Sequence, residues 1–207
     1  MTLDSSASLS AAWGTNDIGQ VGPTHPEREV CPEANSWCYL FMHWARVPLF
    51  IRATDMHFRC FVHETKYTYA HSKKDCGEIR KPTISGLVFI QGSVRSINTY
   101  LKQEYPELHL AKDCASGQTA VIPDSVMKPF MKVAEHDPTR IRILRHPLEY
   151  YAQGHTPVRF TSGLLKGCEG YIIRIERDRK LVMQIGDMTL AIGNIHKEQF
   201  ENIDELK

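Results

Sequence analysis

The pattern of apolar and polar positions changes abruptly at Ser36. Before it, Ser, Ala, Gly and Pro dominate and no period persists, with Pro23, Pro26 and Pro32 breaking any regular element. This predicts a flexible tail over residues 1–35. After it, Trp37, Tyr39 and Phe41 alternate with Cys38, Leu40 and Met42. Both faces of that run are apolar, which predicts a central strand covered on both sides. Pro48 then opens a helical segment, with Leu49, Ala53, Met56 and Cys60 expected on one face and Phe50, His57, Phe58 and Phe61 around from it. The polar stretch 64–81 alternates Thr65, Tyr67, Tyr69 and His71, the pattern of a hairpin arm.

A second buried strand is expected at Gly86–Gln91, followed by a helix capped by Ser93 with Val94, Ile97 and Leu101 on one face. A short strand at Leu108–Ala111 and the loop Cys114–Thr119 lead to Ala120–Asp124, where a strand end runs into a cap. Val126, Met127, Phe130, Met131 and Ala134 continue as a helix that contains the unfavourable Pro129. Residues 36–135 therefore read as an α+β unit, with helices against a mostly antiparallel sheet. Residues 136–153 carry Pro138 and Pro147 and read as a linker with a short strand at Ile141–Leu144.

Residues 154–207 follow another rhythm. Thr156–Thr161, Gly170–Ile175, Leu181–Ile185, Met188–Ile192 and Phe200–Ile203 are five short strand candidates, with a tight turn at Gly186-Asp187. They predict a small β-barrel.

Charge sharpens this division. The first 35 residues have one base against five acids, a net of −4. Residues 36–153 have sixteen bases against eleven acids, a net of +5, and residues 154–207 balance. An excess of five over so long a stretch is mild for a nucleic-acid binder. The longest apolar run is the six residues Trp37–Met42, against about twenty needed to cross a membrane. The polar N-terminus lacks a signal-peptide layout, so the expected location is cytoplasmic. Six cysteines, no two closer than seven positions, form no CxxC pair and read as free packing thiols without a metal.

Four stretches carry a family resemblance. They are Ser36-Trp37-Cys38-Tyr39-Leu40, the segment Lys81–Ile90, Ala120-Val121-Ile122-Pro123-Asp124, and a glycine-punctuated run from Gly154 to Arg174. In order and spacing they resemble the NusG family of transcription elongation factors. They look most like its UpxY-type antiterminators, which accompany surface-polysaccharide operons in Bacteroides-like bacteria. The last stretch resembles a KOW motif, carried by Arg159, Gly163, Leu165, Lys166, Gly167 and Gly170. Glycines there suit a tight reversal between strands, a demand that any generic SH3-like barrel also makes. The family's Pro-Gly-Tyr is Ser85-Gly86-Leu87 here, and Leu165 stands where relatives carry an aromatic.

The resemblance implies an N-terminal (NGN) α/β sandwich followed by an SH3-like KOW barrel. It implies that Ile84, Gly86 and Leu87, with Phe50 and Phe58 from the first helix, grip the clamp helices of RNA polymerase. It further implies that Lys73, Lys74, Arg80 and Lys81 touch non-template DNA, with Lys66, Tyr67 and Tyr69 as a stacking surface; a solvated hairpin explains the same charges. The barrel would bind a ribosomal protein or termination factor Rho, with Leu165 and Ile192 as contacts. The implied role is antitermination, without a cofactor. The alternative is a KOW-type RNA- or ribosome-binding protein that does not act on polymerase. Catalysis finds no support: the sequence has no HExxH, GxSxG, GxGxxG or phosphate-binding loop. Cys60 with His57 or His63 is the one nucleophile–base candidate, and it lacks a visible third group.

Overall fold

The computed structural model describes residues 36–72 and 75–203, and gives the backbone alone for 66–72 and 75–79. The expected tail over 1–35 therefore lies outside the described residues.

Strand β1 (Ser36–Phe41) is central, as its two apolar faces require. It pairs antiparallel with β5 (Leu87–Gln91) on one side and with the short β6 (Ile122–Pro123) on the other. With β2 (Cys60–Phe61) outside β5, the sheet order is β2-β5-β1-β6. Cys38, Leu40, Val88 and Ile90 point to one face and pack on Val47 and Phe50 of helix α1 (Val47–Thr54) and on Ile97 and Leu101 of helix α2 (Val94–Glu104). Trp37, Tyr39, Leu87 and Phe89 point to the other.

Helix α1 departs from the expected face. It ends at Thr54, so Cys60 lies in β2, and the buried positions are Val47, Phe50 and Thr54. Leu49 and Met56 are exposed. The apolar residues of this segment outnumber what one short helix can bury, and the register is set by which of them meets the sheet. Helix α2 matches its expected start: the Ser93 hydroxyl accepts from the Ser96 amide at 3.2 Å. The expected strand at Leu108–Ala111 is reduced to a single bridge between Leu40 and Leu110. Helix α3 (Asp124–His136) begins with Asp124 inside the helix, where its carboxylate accepts from the Trp37 indole at 3.1 Å and pairs with Lys128. Pro129 is buried within α3, at the cost of the amide that would bond four residues back. The expected hairpin is β3 (Glu64–Ser72) with β4 (Asp75–Pro82), whose register shifts between Ala70 and Ser72.

The C-terminal region is a six-stranded antiparallel sheet. Its strands are β7 (Ile141–Leu144), β8 (Pro157–Phe160), β9 (Glu169–Ile175), β10 (Asp178–Ile185), β11 (Met188–Ile192) and β12 (Phe200–Asn202), in the order β12-β8-β9-β10-β11-β7. Five are the strands expected of the barrel. The sixth, β7, is the short strand expected within the linker, and it pairs along β11 from Ile141–Ile192 to Leu144–Thr189. Between β7 and β8 lies a short helix, α4 (Leu148–Ala152). Of the three predicted turn glycines, Gly163 and Gly167 hold positive φ, whereas Gly170 is required for room: a Cβ there would strike the Val182 carbonyl. Beside that turn, Arg140 and Glu198 form a nearly buried ion pair at 3.3 Å. Arg140 also donates to the Gly193 and Asn194 carbonyls, and Glu198 accepts from the Leu165 amide, so neither side chain leaves a buried polar atom unpartnered.

One apolar cluster joins the two regions. Trp37, Tyr39, Leu87, Phe89 and α3 belong to the same buried group as Phe160, Leu165, Leu181, Met183, Ile185 and Leu190. Phe89 lies near its centre, with ring centroids 5.9 Å from both Tyr39 and Phe130. Phe89→Ala should lower unfolding stability by about 3–5 kcal/mol, read as a reduced urea midpoint with an unchanged slope.

Candidate partner-binding surface

The fold divides the five residues that the sequence grouped as one polymerase-gripping patch. Ile84, Gly86 and Leu87 sit together where the β4–β5 connection meets the rim of the sheet. Phe50 and Phe58 belong to the α1–α2 cluster on the opposite face. Phe50 is buried against Tyr105 (centroids 5.0 Å apart), and Phe58 packs edge-on against Tyr100 at 5.4 Å. Phe58 lies beyond the end of α1 rather than on it, and the side of the sheet that the helix covers was not legible in the sequence. Phe41, which the sequence did not single out, belongs with the first group. It stands opposite Leu87 in the β1–β5 ladder, contacts Tyr39 edge-on at 6.0 Å, and is 52% exposed.

Gly86 is held by the backbone. Its φ is +80°, its carbonyl accepts from the Met42 amide at 2.9 Å, and a Cβ would run into the Met42 carbonyl. The Gly-Leu step therefore delivers Leu87 onto the sheet in a fixed register.

The C-terminal sheet covers this rim. Ile84, Leu87 and Phe89 face Ile143, Ile185, Met188 and Leu190 around a cavity of about 10 Å³. Leu87 is buried and Ile84 is half-buried. Polar contacts fix the edge of the covering sheet. The Asp187 amide, in the β10–β11 turn, donates to the Tyr39 hydroxyl at 3.2 Å, and the Cys114 amide donates to the Asp187 carboxylate at 3.2 Å. Gly186 (φ +58°) lies so close to the Tyr39 ring that a Cβ would fall 2.5 Å from a ring carbon. Burial pushes the Tyr39 phenol above its ordinary pKa, which keeps it protonated. The Gly186-Asp187 turn was legible in the sequence, but its partner Tyr39, 148 positions away, carried no local signal.

The basic residues are more dispersed. Arg80 and Lys81 are exposed on β4, opposite Lys66 and Thr65 on β3. Arg80 borders a polar cleft with Glu64 and Glu135. Lys73 and Lys74 lie outside the described residues, as do the side chains of Lys66, Tyr67 and Tyr69.

Two expected contacts of the C-terminal sheet are core residues instead. Leu165 and Ile192 are fully buried, because the turn after β8 folds Leu165 inward beneath Glu198 and β11 is sandwiched between β10 and β7. Lys166 is exposed on that turn, and Arg159 is exposed in an ion pair with Glu169 at 2.7 Å. The candidate nucleophile is not assembled. The Cys60 thiol points to the Phe58 carbonyl, burial pushes its pKa up to about 12, and His63 does not bond it. Cys38 and Cys168 are likewise buried, with thiols pushed up to about 11 and about 12.

Tyr39→Phe removes one hydrogen bond across the contact and leaves the ring in place. It should cost about 0.5–1.5 kcal/mol and speed hydrogen exchange at the Asp187 amide while leaving the Leu190 amide protected. Amide exchange followed by NMR reads both.

No protein-family model matches the chain, and no curated protein matches it. Among solved structures it is similar to one that reports domain interaction in Thermotoga maritima NusG. That likeness has 14% sequence identity and a TM-score of 0.42, and covers 83% of this chain and 99% of that one.

Proposed function

We propose that the chain is a transcription elongation factor of the NusG type that binds RNA polymerase through the rim formed by Ile84, Leu87 and Phe41. The observation that carries this reading is an apolar rim on an antiparallel α+β sheet, followed in the same chain by a sheet with a KOW-like glycine turn. Both fall within stretches that carry the resemblance, Lys81–Ile90 and Gly154–Arg174. The UpxY-like reading, with readthrough of a surface-polysaccharide operon, rests on those stretches alone. The mechanism uses binding energy only: apolar side chains grip a helical pair on the polymerase clamp, and the bound clamp disfavours the paused state. Arg80 and Lys81 would add a salt-dependent contact to the exposed DNA strand. A side chain buried in one contact is unavailable to another, so the C-terminal sheet and the polymerase compete for Leu87 and Ile84.

The test is retention of core RNA polymerase by the tagged protein in cell extract. Ile84→Asp should lose it, and Phe41→Ala should weaken it. Met188→Glu alters only the covering sheet and should raise retention several-fold by favouring the uncovered state. If Ile84→Asp has no effect and reversing Arg80 and Lys81 releases RNA or ribosomes, the chain is an RNA-binding protein instead.

A further inference from the structure

His63 lies at the junction of the two sheets and is 5% exposed. Its carbonyl accepts from the Thr83 amide at 2.9 Å. Its imidazole is poorly served: neither ring nitrogen makes a hydrogen bond of good geometry among the described residues, and the Pro138 backbone is the acceptor that bears on it. The ring lies against Phe130 of α3, 5.7 Å between centroids, and lines the cavity closed from the other side by Ile143, Ile185 and Met188. A cavity of about 10 Å³ is at the lower limit for a single water.

We propose that His63 is a proton-operated release for the contact between the two sheets, holding it closed when neutral and opening it when charged. Among the described residues, no charged side chain lines the cavity. The residues facing it are Leu87 and Phe89 from β5, Phe130 from α3, Ile141 and Ile143 from β7, Ile185 from β10, and Met188 and Leu190 from β11, with Ile84 from the preceding loop. The charged groups on the neighbouring elements look elsewhere. Glu64, Arg80 and Glu135 line the separate outer cleft, Arg142 of β7 is exposed and pairs with Glu176, and Asp137 accepts from the Thr139 amide. An imidazolium at this position would have no counter-charge among the described residues, only the Pro138 backbone and at most a single water. When the sheets part, the ring regains solvent.

The sign follows from the burial. Desolvation lowers the pKa of His63 in the closed state, against a weaker opposing pull from the Pro138 backbone. The open state has a pKa nearer the ordinary histidine value of about 6.5. Closure is therefore fully favoured above that value and is lost as pH falls below it. One proton allows at most a tenfold change in the open-to-closed ratio per pH unit between the two pKa values.

The experiment uses the isolated full-length chain and requires no polymerase, so its outcome is independent of the proposed function. Small-angle scattering and methyl NMR are recorded from about pH 8 to about pH 5, a range that spans the ordinary histidine pKa, for the wild type and for His63→Leu. The wild type should expand below about pH 6.5, with the Ile143, Ile185 and Met188 methyls shifting together with the His63 ring signal. His63→Leu should stay compact throughout. Equal expansion of both proteins, no expansion of the wild type, or a His63 pKa at or above the ordinary value would each overturn the proposal. Should His63→Leu fail to fold, the wild-type titration decides alone: the methyls must follow the His63 ring and no other histidine.

Discussion

Everything in this molecule depends on the burial of one sheet face. Tyr39, Leu87 and Phe89 make an apolar surface that α3 alone does not cover, and the C-terminal sheet completes the cover with Ile185, Met188 and Leu190. Water is excluded from both sheets by the same contact. The opposite face needs no such help, because α1 and α2 close over Cys38, Leu40, Val88 and Ile90 within the N-terminal region. The two faces of β1 thus have different standing: one is permanent core, and the other is core only while a second sheet lies on it.

That asymmetry is what the proposed function would use. A surface apolar enough to grip a partner helix pair is also apolar enough to need covering when no partner is present. The hydrogen bonds at its edge, from the Asp187 amide to Tyr39 and from the Cys114 amide to Asp187, are few and partly exposed. They give the contact register more than strength. The Arg140–Glu198 network is of another kind. It is nearly buried and fully satisfied, and it lies wholly on the C-terminal side, where it keeps that sheet intact whichever face it meets.

The sequence showed what is local. Alternation placed β1, β5 and the five later strands, Ser93 marked the start of α2, and Gly163 and Gly167 marked the turn after β8. It did not show what depends on distant packing. Seven apolar candidates in and after α1 cannot reveal which one meets the sheet, so Phe50 and Phe58 were grouped with a rim on the far side. Leu165 and Ile192 look the same in sequence whether they face a partner or a core. His63 is one of ten histidines, and only the approach of β7, β10 and β11 sets it apart. Strand β7 itself was visible as an apolar tetrapeptide, but its pairing with β11 depends on residues almost fifty positions on.

The place of β7 fixes how far the two sheets can separate. Because β7 is laddered to β11 and Arg140 is bonded to Gly193, Asn194 and Glu198, the chain free to extend after α3 is only residues 137–139. At about 3.3–3.6 Å per residue, that is a leash of roughly 10 Å. Even when uncovered, the C-terminal sheet would remain beside the rim at a high effective concentration. It could tilt aside like a hinged cover, but it could not drift away, and it would return as soon as the rim was vacated.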